Sequence, residues 1–107
     1  MVLLIEELQK NPLIHTISMD SNYTLVTKQM IDRLEKCTKL RINISLDAMD
    51  KQKAKDIANA QNYNLDYVLD LIRYTAKSKL NYLIAPVFTP TYNDDELAKI
   101  IEFVKTL

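Results

Sequence analysis

Three features of the sequence predict an α/β domain of three parallel strands alternating with helices. Short, partly β-branched runs at 14–19, 41–47 and 81–88 are separated by stretches with helical periodicity. The middle run, RINISLD, alternates strictly: Ile42, Ile44 and Leu46 face one way, and Arg41, Asn43, Ser45 and Asp47 the other. The chain has 107 residues, 48% of them hydrophobic, which gives room for one domain, 1–107, with a real core.

The elements follow in order. Residues 2–10 carry Leu4, Ile5 and Leu8 at helical spacing, and Asn11-Pro12 is a stop signal. The first strand, 14–19, leads into a polar connection at 20–25. Thr27 is placed to cap a helix with Met30, Ile31, Leu34 and Cys37 on one face. After the second strand, Asp50 can cap a short helix through Ala54, Ile57 and Ala58, which residues 62–64 break. A further helix carries Leu65, Val68, Leu69, Ile72 and Ala76 on one stripe. The third strand has Pro86 near its end, and 90–93 is a loop. Asn93 and Glu96 stand at the N-cap and N3 spacing of a capping box, and the last helix is expected to bury Leu97, Ile100, Ile101 and Val104. Alternation of this kind implies crossover connections and a parallel sheet with helices on a face.

Composition excludes several functions. Fourteen Lys+Arg balance fourteen Asp+Glu, with no basic block to attract nucleic acid or an anionic membrane. No apolar run approaches the roughly 18–20 residues of a transmembrane helix. Glu6 and Glu7 follow the first apolar residues at once, so a secretory leader is not expected. A lone Cys37 fits a reducing compartment, and the expected location is cytoplasmic. Glycine is absent, where ordinary usage of about 7% would supply roughly seven. Glycine-based phosphate loops are therefore excluded, and any turn with positive φ is expected to fall on Asn or Asp.

Most single candidates have a structural reading. Cys37 is a small buried hydrophobe, and His15 has no ligand or nucleophile at useful spacing. The run Asp94, Asp95 and Glu96 suits the first turn of a helix. Tyr63, Tyr67, Tyr74, Tyr82 and Tyr92 follow no stacking period and suit amphipathic packing. The polar side of the middle strand is different. A parallel sheet covered on both faces has near-continuous apolar strands, and this one does not. Its polar side either meets solvent or a partner, or lines the lumen of a partial barrel holding a small molecule. Parallel α/β folds place ligands beyond the carboxyl ends of their strands, here residues 20–22, 45–47 and 86–89.

Those strand ends carry a family resemblance. ISMDSNYTLVTKQMIDRL, residues 17–34, resembles the radical S-adenosylmethionine enzymes in a segment that runs strand, Thr-Asn-Gly, Thr-Leu-Leu-Thr, helix. RINISLDAMD, residues 41–50, is similar to their next strand, commonly R-I-x-x-S-(L/I)-D-(A/S)-x-D. LIAPVFTPTYNDDELAKIIEF, residues 83–103, resembles a later strand that ends in Pro before an Asn-Asp-Glu helix start. The resemblance implies an open barrel of about six strand–helix units, of which this chain supplies the middle three, a half-barrel. It implies that Ser21 or Asn22 corresponds to the Thr-Asn pair, and Ser45 to the serine near the cofactor's amino acid end. Asp47 follows in the same motif, and Asn93 would cap the helix after the third strand.

Two departures from the family pattern bear on activity. The family holds a 4Fe–4S cluster on three thiolates of a C-x-x-x-C-x-x-C loop, and this chain has one cysteine. Tyr23 stands where the family has Gly, so a Cβ and a phenol are expected to crowd the cofactor turn. The isolated chain is therefore expected to hold no cluster and to be inactive, with S-adenosylmethionine as the one cofactor the resemblance allows. Its expected partner is a second copy or a cluster-bearing chain, because three parallel strands leave two open edges.

Overall fold

The computed structural model describes residues 1–58, 63–86 and 95–107. Five helices and three strands are described: α1 (Val2–Lys10), β1 (Ile17–Ser21), α2 (Lys28–Leu34), β2 (Leu40–Ile44), α3 (Lys51–Ala58), α4 (Leu65–Lys77), β3 (Asn81–Ile84) and α5 (Glu96–Val104). The strands form one parallel sheet in the order β1-β2-β3, open at both edges. This is the expected α/β architecture, three parallel strands alternating with helices in an unclosed sheet.

Register sets the two faces. Met19, Ile42 and Tyr82 lie side by side, as do Ser18, Arg41 and Asn81 one residue earlier. Leu40, Ile42, Ile44 and Leu46 are fully buried beneath the helices with Ile31, Leu34, Val68 and Ile72. The alternate residues Ser18, Asp20, Arg41, Asn81 and Leu83 are exposed. The helix layer thus covers the face predicted for it.

Three helices start where their caps are placed. Thr27 Oγ1 accepts the Met30 amide at 3.2 Å, Asp50 Oδ1 accepts that of Lys53 at 3.0 Å, and Asn64 Oδ1 accepts that of Tyr67 at 3.1 Å. Asn64 therefore both breaks the helical run and starts α4.

Boundaries and faces required correction. The first strand begins at Ile17, not at 14, because Asn11 holds the chain in a turn: its carbonyl accepts the Ile14 amide and its Oδ1 the Leu13 amide. Strand β2 ends at Ile44, although the Ser45 amide still donates to the Ser21 carbonyl. Strand β3 is 81–84, and residues 87–88 of the expected strand lie outside the described residues. Helix α1 buries Val2 and Ile5 while Leu4 is 63% exposed. Helix α5 buries Ile100 and Phe103, with Leu97 half-buried, but Ile101 is 56% exposed and Val104 is also exposed. Helical spacing locates a stripe, but the neighbouring elements decide which edge of it is covered. Cys37 is buried as expected, but in the turn after α2 rather than on the helix.

The largest surprise is Tyr23. It takes the left-handed backbone region at φ 67°, which the sequence assigned to Asn or Asp. A Cβ there costs roughly 1–2 kcal/mol. Burial offsets it: the ring is fully buried and its hydroxyl lies 2.9 Å from Thr75 Oγ1. Thr75 spends its own proton on the Leu71 carbonyl, so Tyr23 is the donor. The phenol is thus buried in the core rather than crowding the turn from outside, which corrects the expectation that it obstructs the strand end. Replacing Tyr23 by Phe is expected to cost about 1 kcal/mol in urea unfolding, since Thr75 keeps its bond to Leu71.

Candidate functional site

The candidate site is built where β1 and β2 end. The Ser45 amide on the Ser21 carbonyl, at 2.8 Å, holds the two strand ends together. Ser21 is in register with Ile44, on the helix side of the sheet, and its Oγ accepts the Tyr23 amide at 3.0 Å. Asn22 is exposed, and its Oδ1 accepts both the amide and the hydroxyl of Thr24. Ser21 and Asn22 thus shape the turn around Tyr23 with their oxygens, while the Asn22 amide nitrogen has no partner among the described residues. Ser45 falls by alternation on the opposite, polar face. It is half-buried, and its hydroxyl has no partner among the described residues. Asp47 is half-buried near the Tyr63 phenol, which burial first and the Asp47 charge second push up to about 12.

The polar face carries one further arrangement. Asn43 Nδ2 donates to Asp20 Oδ1 at 2.8 Å and to Ser18 Oγ at 3.2 Å, tying β2 to β1. Its own Oδ1 is buried without a partner. An orphaned acceptor of this kind is costly unless something donates to it.

Glu96, which the sequence marked only as a capping residue, joins two helix starts. Its side chain is fully buried, and Oε1 accepts the amides of Met49 and Asp50 at 2.9 and 2.8 Å, at the start of α3. Lys99 Nζ sits 2.7 Å from its other oxygen. Burial pushes the carboxyl up, but Lys99 and the two amides together outweigh it and hold the group below its ordinary 4.5. Asn93, its expected capping partner, lies outside the described residues, as do Asp94 and Tyr92. No spacing in the sequence signals a contact between residues 49 and 96.

Two further tyrosines tie elements together. Tyr67 donates to the Val26 carbonyl and Tyr74 to Asp32. Asp95 pairs with Lys53 at 3.1 Å. Among the described residues there is no group of three or more His, Cys, Asp or Glu that could hold a metal. Cys37 is the one thiol in the chain, and burial raises it, with Glu6 adding to the shift. The residues present do not fit an iron–sulfur cluster, which needs several thiolates. Among the described residues no helix is long and apolar enough to cross a membrane.

Comparison with known proteins decides the family. The profile of the Radical SAM superfamily matches residues 1–104. The chain belongs to the radical SAM superfamily. It is 37% identical over 91 residues to an uncharacterized protein of Methanocaldococcus jannaschii, an alignment covering 85% of this chain and 21% of that protein. It is 41% identical over 66 residues to the GTP 3',8-cyclase of Campylobacter jejuni subsp. doylei, covering 62% of this chain and 20% of that enzyme. The same figures hold for the GTP 3',8-cyclase of Campylobacter jejuni strain RM1221. The chain therefore spans about a fifth of the length of the relatives it matches. It is a radical SAM domain fragment by extent, and its open three-stranded sheet is what part of a larger barrel looks like.

Proposed function

We propose that this chain forms central strand–helix units of a radical SAM barrel, with its polar sheet face toward the lumen. The observation that carries this is polar chemistry on that face without a partner among the described residues: the Ser45 hydroxyl at the end of β2, and the buried Asn43 Oδ1 beneath it in the strand. In this reading Ser45 and the Asn22 amide hold the amino acid end of S-adenosylmethionine, whose reductive cleavage is the chemistry it supplies in the family. Ser21 and Tyr23 hold the turn that presents Asn22. Asp47, fixed near Tyr63, bounds the site on the α3 side.

The cluster has to come from elsewhere, either another stretch of a longer chain or a partner subunit. By itself this chain binds S-adenosylmethionine weakly and does not cleave it. Anaerobic reconstitution with iron and sulfide should leave far fewer than the four irons per chain that a 4Fe–4S centre contains, with no 5′-deoxyadenosine on reduction. Near-stoichiometric cluster, or cleavage, would sink the reading. Isothermal titration should show weak binding of S-adenosylmethionine that Ser45→Ala lowers further.

A second reading is favoured by the edges. Both β1 and β3 have an unpaired side, and Leu83, Ile101 and Val104 are exposed beside β3. Open edges with apolar flanks invite strand addition or association. In this reading the chain pairs with a second copy or with a cluster-bearing chain, in the reducing cytoplasm that a lone cysteine suits. A sedimentation profile that stays monomeric at high micromolar concentration would count against self-pairing.

A further inference from the structure

We propose that the cleft at the amino-terminal ends of the strands binds the phosphate group of a small metabolite. This cleft lies at the opposite end of the sheet from Ser45 and Asn22. Its volume is about 510 Å³, within the range that small-molecule sites occupy.

Its lining is one-sided in chemistry. Although the chain is neutral overall, the cleft is walled by His15, Lys39 and Arg41 and by no carboxylate. Arg41 is central, in register with Ser18 on one side and Asn81 on the other. It makes no ion pair, hydrogen bond or ring contact with any described residue. Elsewhere Arg33 is engaged by Glu6, and Arg73 lies over the Phe103 ring. Arg41 therefore presents an uncommitted planar fork, the geometry that suits phosphate oxygens.

The neutral groups around it are set as donors. Ser18 Oγ accepts from Asn43, and Thr38 Oγ1 accepts from Gln9. Each hydroxyl keeps its proton to give. Lys39 is anchored at the rim, its Nζ donating to the Asn11 carbonyl at 2.9 Å with further protons left over. Donors from three strands and the α2–β2 turn exceed what the two oxygens of a carboxylate accept and match a phosphate better.

The test uses the full chain and inorganic phosphate, followed by NMR through the His15 ring and the Arg41 side chain. Saturable shifts in both are expected, and glycerol 3-phosphate should compete for the same site. Arg41→Gln should weaken phosphate binding about tenfold or more, the loss of a charge-assisted pair. Lys51→Gln, which removes a charge paired with Asp66 on the far side of the sheet, should leave it unchanged. Far-UV circular dichroism checks that each variant is folded. Linear shifts without saturation, equal affinity in Arg41→Gln, equal losses in both variants, or exclusion of glycerol 3-phosphate would each overturn the proposal.

Discussion

Replacing Glu96 by Ala is expected to destabilise the fold by about 3 kcal/mol, in line with removing one member of a buried, hydrogen-bonded charge arrangement. The reason lies in what the substitution leaves behind. The amides of Met49 and Asp50 lose their shared acceptor, in a place where the carboxylate itself was fully shielded from water. Glu96→Gln keeps an acceptor oxygen and should cost less, about 1–2 kcal/mol, the difference between a charged and a neutral bond. Against a typical total of about 5–15 kcal/mol, the Ala variant forfeits a large share of stability. Chemical denaturation would show it as a lower midpoint with an unchanged slope.

The same group makes a prediction for acid. Its folded carboxyl lies below the ordinary 4.5, held there by Lys99 and the amides of Asp50 and Met49 against the opposing effect of burial. A depressed carboxyl contributes stability that is fully present above the unfolded value and is lost as pH falls through the folded one. The window is therefore below about pH 4.5, the ordinary value for this carboxyl. Wild type should lose stability there more steeply than Glu96→Gln, which has no proton to take up. Parallel curves for the two proteins would show that Glu96 is not the group responsible.

Replacing Ile42 by Ala is the second large expected effect, about 2–5 kcal/mol. Ile42 is fully buried at the centre of the middle strand, flanked by Met19 and Tyr82. A cavity there has neighbours on both strands and in the helix layer above, and a close-packed interior refills such a gap only in part. The contrast is Ile101→Ala, at a residue that helical spacing marks equally strongly as core. With 56% of its surface exposed, that substitution should change stability by less than about 1 kcal/mol, because little apolar area is removed from the interior. Comparable costs at the two positions in urea unfolding would mean that α5 is covered in solution by something that hides Ile101.

Much of the fold was legible because it is written in local chemistry. Strict alternation in residues 41–47 fixed which side of β2 meets the helices, since a pleated strand gives neighbouring residues opposite faces. Thr27 and Asp50 marked helix starts, because an N-cap needs only a side chain within three residues of its amide, whereas Asn64, read only as part of a break, proved to cap α4 as well. The order of strands and helices, and with it the parallel sheet, followed from periods read within each segment. The residues quoted for the family resemblance, where described, lie on or beside these same elements, and the family match over 1–104 agrees with them.

Tertiary structure decided what depends on residues distant in sequence. Whether Leu4 or Val2, and Ile101 or Ile100, is the covered edge of a helix depends on where the neighbouring elements sit. Tyr23 could take a left-handed backbone only because Thr75, 52 residues away, receives its hydroxyl and the core receives its ring. The Ser21 and Asn22 oxygens turned out to build that bend, and Ser45 was left on the opposite face with a hydroxyl that no described residue engages. Glu96 looked like the end of a local capping box. Folding instead brought its carboxylate across 46 residues to the amide of Asp50, a contact no spacing rule encodes, because it is satisfied by the packing of two helices rather than by the path of one.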